Sequence, residues 1–498
     1  MASNLEPNLV LPLAVSYNQR GVAGFTNAIV NNTDQKKVNC IYETVPNALT
    51  GKTTLYLSKR PGAVVDAASF GTTGQVGYLT CLKASPASIN TSQAWVFSTS
   101  GDDVRVSDSA GTTVIATAAG YAPTYVDRTA ISATDTVVLQ TRNAAGAQRI
   151  FYSNTIGTWG EITDADFTSA PVGKMEHMDG FAFVLNSSNQ ISNSDINSLA
   201  NWTDGSFITK QIKQDIALGL ARFGQQIIAF GANTFEVFRN AGNPSLSPLE
   251  SVQGMAKNFG LGHPPTGTNR THYYAIAGGI MYFLGRGIGG DSSVGLYAYN
   301  GGSDPEKVST LFIDEILANA LAASADLYSV EAFGFRNRTA VAIRFDLNTA
   351  ATQRWLMFFP EHKEWFEWNS TVIMPVNGGG FFMGVGANQH KLYTIGGVWA
   401  DDSTNYTMRV QFKLPRKGSY RKRMLMSGVI GDTDTSANSL SISYSDDDGA
   451  NYSSARTIDM TKVDKTITRC GSYKERFIRL DSTNAREVRL ESFIARIA

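Results

Sequence analysis

The sequence is short of cysteine and of charge. Its 498 residues include three cysteines, Cys40, Cys81 and Cys470, an odd number spread over the whole chain. They predict neither a disulfide framework nor a metal site, and they indicate maturation in a reducing cytosol. Charged residues make up 17% of the chain, against a usual value of about 25%. Lys and Arg together number 43, as do Asp and Glu, which argues against nucleic-acid binding through bulk positive charge.

Long apolar runs are also missing. No stretch of eighteen consecutive apolar residues exists that could form a membrane-spanning helix. The first twenty residues lack a basic leader, and the apolar stretch Leu9–Val15 is interrupted by Pro12, which argues against a secretory signal. We therefore predict no direct membrane insertion.

Motifs for catalysis or cofactor binding are absent as well. The five histidines are scattered, with no HExxH pattern and no cysteine partners nearby, so no metal site is predicted. The segment PNALTGKTT ends like a phosphate-binding loop, but Pro46 stands where that loop requires its first glycine. No GxSxG nucleophile elbow is present. The sequence predicts neither an enzyme nor a cofactor.

Short strand-like runs separated by turns are abundant. Seven of them, rich in β-branched or aromatic residues, begin 41 to 60 residues apart, close to the 40–50 residue period of propeller blades. The two longest intervals contain insertions, a Pro/Gly/Asn-rich stretch over residues 240–270 and a helix candidate. A β-sandwich also fits short strands, but the period favours an all-β propeller of six to eight blades, with seven as the best count. The runs are Ala94–Ser98, Thr136–Gln140, Phe181–Leu185, Gln226–Phe230, Ile280–Leu284, Ala340–Phe345 and Phe381–Val385.

A helix and a change of pattern divide the chain further. The segment Ser309–Ala323 has a Ser/Thr cap and apolar residues at helical spacing, which predicts a helix near 310–323 packed outside a blade. From Tyr406 the pattern changes to strict alternation, as in Met408 and Val410. We predict a loop-rich N-terminal arm or docking segment over residues 1–90, a propeller over 91–400 and a C-terminal antiparallel β module over 401–498.

The segment SDDDGANY (Ser445–Tyr452) matches the S-x-D-x-G-x-x-aromatic pattern of an Asp-box, which occurs on hairpins of sialidase-like propellers. Asp447 can bond its own downstream backbone and Gly449 tolerates positive φ, so both residues suit a tight turn. The segment predicts a hairpin. A single copy supports glycan hydrolysis only weakly.

The densest charge lies in a basic strip, KLPRKGSYRKR (Lys413–Arg423), with six cations and no acid in eleven positions. Two interpretations are open. The strip is either a solvated turn between strands or a contact surface for a polyanion, namely DNA phosphates or an acidic protein partner. The candidate contact residues are Lys413, Arg416, Lys417, Arg421, Lys422 and Arg423.

Several segments, taken in order, resemble the tail hub proteins of short-tailed bacteriophages, also called nozzle, tail accessory or packaged-DNA stabilisation proteins. No single segment is diagnostic, and their order carries the resemblance. They are LYLSKRPG (Leu55–Gly62), the hairpin Ile227–Gly242, the start of the predicted helix in Lys307–Leu317, SISYSDDDGANYSSARTI, and Arg476–Ile497.

This resemblance implies a structural virion protein without catalytic residues. It implies a homo-hexameric ring in the virion tail, below the portal and adaptor, assembled in the cytoplasm of the host bacterium. The ring would close the exit after DNA packaging and form part of the DNA ejection conduit. The implied partners are the adaptor (head-to-tail connector) ring, a tail needle, fibre or spike, and viral double-stranded DNA that passes without sequence specificity.

Two other classes remain open. A carbohydrate-active or glycan-binding propeller would use Arg, Asp or Glu and aromatic side chains that converge at one end of the axis. A kelch-like interaction propeller is suggested by the double glycines Gly278–Gly279 and Gly396–Gly397, although such pairs do not recur in each repeat.

Overall fold

In a computed structural model, the described part of the protein contains 41 β-strands and one α-helix. None of its helices is both long and apolar enough to cross a membrane. The chain divides into two compact units. Unit 1 comprises Met1–Val64, Thr352–Val372 and Ile395–Ala498, and unit 2 comprises Val65–Ala351 and Ile373–Thr394. The described residues are 9–14, 36–46, 53–69, 76–83, 94–100, 103–108, 111–117, 121–131, 134–143, 147–153, 160–167, 171–213, 215–262, 272–287, 294–323, 328–335, 338–345, 353–375, 381–384, 391–414 and 420–498.

The strands before the first repeated sheet are short and belong to several sheets. They are β1 (Leu9–Pro12), β2 (Lys36–Val38), β3 (Cys40–Pro46), β4 (Thr53–Lys59) and β5 (Ala63–Ser69).

Unit 2 contains six small sheets and one hairpin. Sheets 1 to 4 have four strands each, and sheet 5 has five. Their strands are β6 (Val76–Lys83), β7 (Ala94–Ser100), β8 (Asp103–Asp108) and β9 (Gly111–Thr117) in sheet 1; β10 (Tyr121–Ile131), β11 (Thr134–Asn143), β12 (Gln148–Ser153) and β13 (Gly160–Glu161) in sheet 2; β14 (Val172–Met178), β15 (Phe181–Leu185), β16 (Gln190–Ser194) and β17 (Trp202–Thr209) in sheet 3; β18 (Ala217–Phe223), β19 (Gln226–Gly231), β20 (Phe235–Asn240) and β21 (Leu249–Ser251) in sheet 4; and β22 (Phe259–Gly260), β23 (Tyr274–Ala277), β24 (Ile280–Gly287), β25 (Gly295–Tyr299) and β26 (Glu306–Lys307) in sheet 5.

A helix, a hairpin and one further sheet complete unit 2. The fourth strand of the last sheet is β5, which precedes every other strand of unit 2 in the sequence. The elements in chain order are α1 (Leu311–Ala323); the hairpin of β27 (Tyr328–Phe335) and β28 (Arg338–Phe345); β29 (Gln353–Phe359) and β30 (Glu364–Ser370), which belong to unit 1; and β31 (Ile373–Pro375), β32 (Phe381–Gly384) and β33 (Lys391–Ile395), which form sheet 6 with β5.

Strand β15 shows why these sheets stack. Successive side chains of a strand point to opposite faces of the sheet. Phe183 and Leu185 pack with residues of sheet 4, whereas Ala182 and Val184 pack with residues of sheet 2. Both faces are buried, so the strand is apolar throughout rather than alternating.

Strand β19 repeats this packing one sheet later. Ile227 and Ala229 face sheet 3, and Ile228 and Phe230 face sheet 5. The Phe230 ring lies 5.2 Å from that of Phe283. Sheets 2 to 5 therefore stack face to face in chain order, which is the packing of a β-propeller.

The seven predicted strand runs lie in β7, β11, β15, β19, β24, β28 and β32, each the second strand of its sheet in hydrogen-bonding order. Val385, the last residue of the seventh run, lies outside the described residues. The predicted all-β propeller fold is confirmed, whereas the blade number of six to eight, with seven as the best count, stays a prediction. A sandwich does not fit these residues, because a sheet stacked on both faces has no solvent-facing side.

Helix α1 starts one residue later than predicted. The Thr310 hydroxyl accepts a hydrogen bond from Ile313 N at 3.4 Å and acts as the cap. Ser309 lies before the helix, where its hydroxyl donates to Asp314 Oδ1 (2.5 Å) and accepts from Leu296 N of β25 (3.1 Å). Ile313 is buried while Leu311 is 82% exposed, so the helix packs on β25 along one side.

Unit 1 is a sandwich of two sheets. One sheet is ordered β29, β30, β2, β34, β40, β36, β37, and the other β3, β4, β41, β35, β38, with β1 beside β41 and β39 beside β35. The Phe412 and Phe493 rings of the facing sheets lie 5.1 Å apart. The additional strands are β34 (Met408–Lys413), β35 (Lys422–Gly431), β36 (Ser439–Ser445), β37 (Arg456–Asp459), β38 (Thr466–Thr468), β39 (Ser472–Tyr473), β40 (Phe477–Ser482) and β41 (Arg489–Ile497).

The alternation predicted after Tyr406 is confirmed, since Met408, Val410 and Phe412 are buried and the residues between them are half-buried. The division of the chain differs from the predicted boundaries 1–90, 91–400 and 401–498. Strands β1 to β4 and β29 to β30 join the C-terminal strands in unit 1, while β5 and β6 join unit 2. The physical reason is long-range pairing, because short polar strands such as β2 are completed only by partners hundreds of residues away. Parts of the predicted arm, including residues 15–35, lie outside the described residues.

Candidate functional site

The basic strip lies at one end of the unit 1 sandwich, where the chain crosses from one sheet to the other. Lys413 is the last residue of β34, and Lys422 and Arg423 are the first residues of β35. Arg416 and Lys417 lie outside the described residues. The strip is therefore a connection between two strands that belong to facing sheets.

Lys413 is neutralised by acids that are distant in sequence. Its ammonium lies 3.3 Å from Asp448 Oδ1 and 3.1 Å from Glu475 Oε2, and 5.2 Å from the centroid of the Phe477 ring. Burial opposes its charge, but the hydrogen bonds with Glu475 and Asp448 outweigh burial and raise its pKa. Lys413 is thus a member of an ion-pair network.

The acidic side of this network is the predicted Asp-box. Its hairpin is confirmed, because β36 and β37 pair as antiparallel neighbours across it. The Asp447 carboxylate accepts from Ser445 Oγ (2.6 Å) and from Asn451 N (2.9 Å), and these bonds lower the pKa of Asp447 to about 2. Gly449 has φ +85°, a conformation that favours glycine. The loop is held rigidly as it presents Asp448 to Lys413.

A second cation at this end is also paired. Arg476 is buried and makes two bonds to the Asp446 carboxylate, at 2.7 and 2.8 Å. Its guanidinium lies 4.9 Å from the centroid of the Tyr444 ring and 4.7 Å from that of Tyr473. Arg476 therefore holds the Asp-box loop against the sandwich.

The rest of the basic strip faces solvent. Tyr420 is 83% exposed, and Arg421 and Arg423 are exposed with no ion-pair partner among the described residues. The backbone of Arg423 is fixed by reciprocal bonds with Ala498 at 2.9 and 2.8 Å. Lys422 is half-buried. The backbone held in this way presents two guanidinium groups and a phenol to solvent.

Two further exposed cations lie at the same end and were missed from the sequence. Lys474 directly follows β39, whose Tyr473 pairs with Lys422. Arg469 donates its backbone N–H to the carbonyl oxygen of Leu425 in β35. Only the strand pairing reveals this proximity, because both residues lie some fifty positions from the basic strip.

The exposed guanidinium groups of this arrangement are suited to binding anions. Arginine guanidinium groups bind phosphate or carboxylate oxygens through paired donors. In the part of the chain that the structure describes, no three His, Cys, Asp or Glu side chains gather as metal ligands.

Comparison with protein families gives one match. The model of a family described as bacteriophage P22 Gp10, beta-propeller, matches residues 50–358, which is more than half of the chain. The matched residues include LYLSKRPG and most of unit 2. No curated protein matches the chain in sequence.

Solved structures that match the chain share little sequence with it. A chain from the crystal structure of the mitotic checkpoint complex is 10% identical, with 68% of this chain and 95% of that chain covered and a TM-score of 0.38. An exo-β-1,3-galactanase from Phanerochaete chrysosporium is 8% identical, with 87% and 100% covered and a TM-score of 0.26. A glycoside hydrolase family 43 arabinoxylan arabinofuranohydrolase from Bacillus subtilis is 10% identical, with 98% and 99% covered and a TM-score of 0.24. Similarities this weak give no information about function.

Proposed function

The chain belongs to the family of bacteriophage P22 Gp10, a family of structural phage tail proteins, and we propose from this that it is the tail hub of a short-tailed phage. Six copies form a ring below the portal and adaptor, close the exit after DNA packaging, and later form part of the ejection conduit. Assembly takes place in the cytoplasm of the host bacterium. The single observation that carries the proposal is the family match over residues 50–358.

Composition supports a permanent structural role. With 17% charged residues and no net charge, the chain has the weakly charged surface that permanent subunit contacts favour. The family is structural, so we propose that the protein has no catalytic activity. The family match favours this function over the carbohydrate-active and kelch-like alternatives.

The proposed partners are the adaptor ring, a tail needle, fibre or spike, and double-stranded DNA that passes without sequence specificity. Within this assembly, we assign the exposed part of the basic strip to polyanion contact. Arg421 and Arg423 present unpaired charge, whereas Lys413 stays in its ion-pair network. Contacts of this kind bind the phosphate backbone without reading sequence.

The test is a phage whose gene for this protein is deleted and then supplied in trans. Heads assembled without the protein are expected to lose packaged DNA, and the supplied wild-type protein is expected to restore retention. A cryo-EM reconstruction of the restored particles should show six copies below the adaptor. Retention of DNA without the protein, or a copy number other than six, would refute the proposed function.

A further inference from the structure

Strand β1 completes an edge of β41 that β4 covers only in part. β4 pairs with Arg489 and Leu490 of β41 through Ser58 and Leu57. β1 pairs with residues 492–495 on the same edge, and Leu13 N donates to the Glu491 carbonyl oxygen at 2.9 Å. We call residues 491–495 of β41 the edge site. At the edge site, β1 follows β4 along the same edge of β41 and acts as an added strand.

The side chains of this segment anchor it in the core of unit 1. Leu11 and Leu13 are 3% and 1% exposed, whereas Val10 is 42% exposed. Leu11 stands opposite Phe493 in the register, and Phe493 belongs to the contact between the two sheets. Alternate residues thus insert into the sandwich, as expected of an added strand.

The sequence fits the backbone pairing of this strand. Hydrogen-bonded and non-hydrogen-bonded pairs alternate along an antiparallel ladder. Since Leu13 and Glu491 share a ladder bond, the pair of Pro12 and Ser492 is of the non-bonded kind. Proline lacks an N–H group, so at this position it costs no ladder bond.

The chain that follows is long for an internal connection. Residues 15–35, twenty-one in number, separate Ala14 from Lys36 of β2. β2 lies in the facing sheet of the same sandwich, and packed sheets are about 10 Å apart. Connections in compact domains are usually about 4–6 residues long. Twenty-one residues can span up to ~70 Å at ~3.3 Å per residue, which is enough to reach a second copy.

We propose that residues 9–14 of each copy fill the edge site of a neighbouring copy in the assembled ring. The proposal rests on the proposed function, because it requires adjacent copies. Exchange of an identical element keeps every contact of the closed subunit and adds a covalent connection across the interface. Removing one copy then requires withdrawal of Leu11 and Leu13 from the core of its neighbour.

The exchange is tested with single-cysteine substitutions at Val10 and Ile494. These residues are opposite each other at a non-bonded pair, where Cβ atoms are about 4.5–5.5 Å apart and a disulfide can form after a small shift. Val10→Cys and Ile494→Cys subunits are co-expressed in infected cells, and assembled particles are oxidised. Because each subunit carries one partner of the pair, a disulfide between the two variants forms only between copies. Disulfide-linked dimers are the expected result, and unassembled protein is the control that should give none.

Absence of linked dimers from intact rings would overturn the exchange. A chain carrying both substitutions would then close its disulfide within one subunit. A second non-bonded pair, Pro12→Cys with Ser492→Cys, covers the case in which the first variants fail to fold, and absence of dimers for both pairs overturns the proposal. A particle map without a ring refutes the proposed function instead, and the exchange fails with it.

Discussion

Arg60 and Asp401 form a buried ion pair between residues 341 positions apart in the sequence. Their two bonds, Nη1 to Oδ1 and Nη2 to Oδ2, measure 2.9 and 2.5 Å. The Arg60 guanidinium lies 3.8 Å from the centroid of the Tyr406 ring, and the Asp401 carboxylate also accepts from Ser370 Oγ at 2.8 Å. Burial works against the charge of Arg60, yet Asp401 holds its pKa above the ordinary value. The pair joins the N-terminal, central and C-terminal segments of unit 1.

Substitution Asp401→Asn is expected to destabilise unit 1 strongly. It leaves the Arg60 charge buried without its counter-ion, which typically costs about 3–5 kcal/mol of unfolding free energy. Urea unfolding followed by tryptophan fluorescence measures this loss; one of the seven tryptophans, Trp368, lies 5.4 Å from the guanidinium. The matched control is Arg354→Gln, which removes a half-exposed pair with Glu367 and should cost less than about 1 kcal/mol. Equal stability of the two variants would contradict the expectation.

Substitution Gly62→Ala should prevent close packing in the same unit. A Cβ at Gly62 would overlap the backbone carbonyl of Ala400, and backbone cannot turn away as a side chain can. Overpacking of this kind costs about 1–3 kcal/mol or more, so the thermal midpoint should fall. In the control Gly397→Ala, the new Cβ has no atom within 4 Å, and the midpoint should stay unchanged. An unchanged thermal midpoint for Gly62→Ala would show that the backbone at Ala400 shifts to make room for the new Cβ.

Glu331 should make the stability of unit 2 depend on pH. Burial raises its pKa from 4.5 to about 7, against the lowering effects of Arg344, Ser329 and Lys174. Between these pH values the folded chain binds more protons than the unfolded chain, so stability falls as pH rises through the window. Glu331→Gln should remove that slope and raise stability at pH 8, on the order of 3 kcal/mol. Melting temperatures from pH 4.5 to 8 test this, with the exposed Glu315→Gln as the control that should keep the wild-type slope.

The double variant Arg421→Gln/Arg423→Gln should weaken polyanion contact while the fold is retained. Each lost phosphate contact should reduce the slope of log K against log salt by about 1 for duplex DNA. The control Lys462→Gln/Arg486→Gln removes two exposed cations at the other end of the sandwich. Binding to duplex DNA is measured at several salt concentrations, together with DNA retention in particles. If both double variants behave as wild type in each assay, the basic strip is a solvated turn.

The second strands of the propeller were predictable because their burial is local and complete. Runs such as Phe181–Leu185 are apolar on both faces, and their spacing repeats. The strands of unit 1 near the N-terminus gave no such signal. Lys37 and Lys59 resemble surface residues, yet Lys37 is buried 3.3 Å from Glu364 and Lys59 donates to the Asn484 carbonyl oxygen. Partners so distant leave no local pattern.

The sequence predicted where the candidate site lies, but not which of its cations are neutralised by acids. Six cations without an acid were visible in the sequence, but the acids that neutralise Lys413 come from residues 448 and 475. The strip therefore appeared uniformly basic, whereas the fold divides it into a paired part and an exposed part. Burial is likewise hidden in the segment LYLSKRPG, whose Lys59, Arg60 and Gly62 lie in the interior of unit 1.

The pairing of β5 with β33 can form only after most of the chain has been synthesised. Ser69 leaves the ribosome about 320 residues before Lys391, and at ~5–20 residues per second this interval lasts about 20–60 s. During that time β5 and the growing stack of sheets have unpaired edges, which are prone to aggregation. A premature stop codon before Lys391 therefore leaves β5 without its partner strand, and such fragments are expected to be degraded rather than to enter virions.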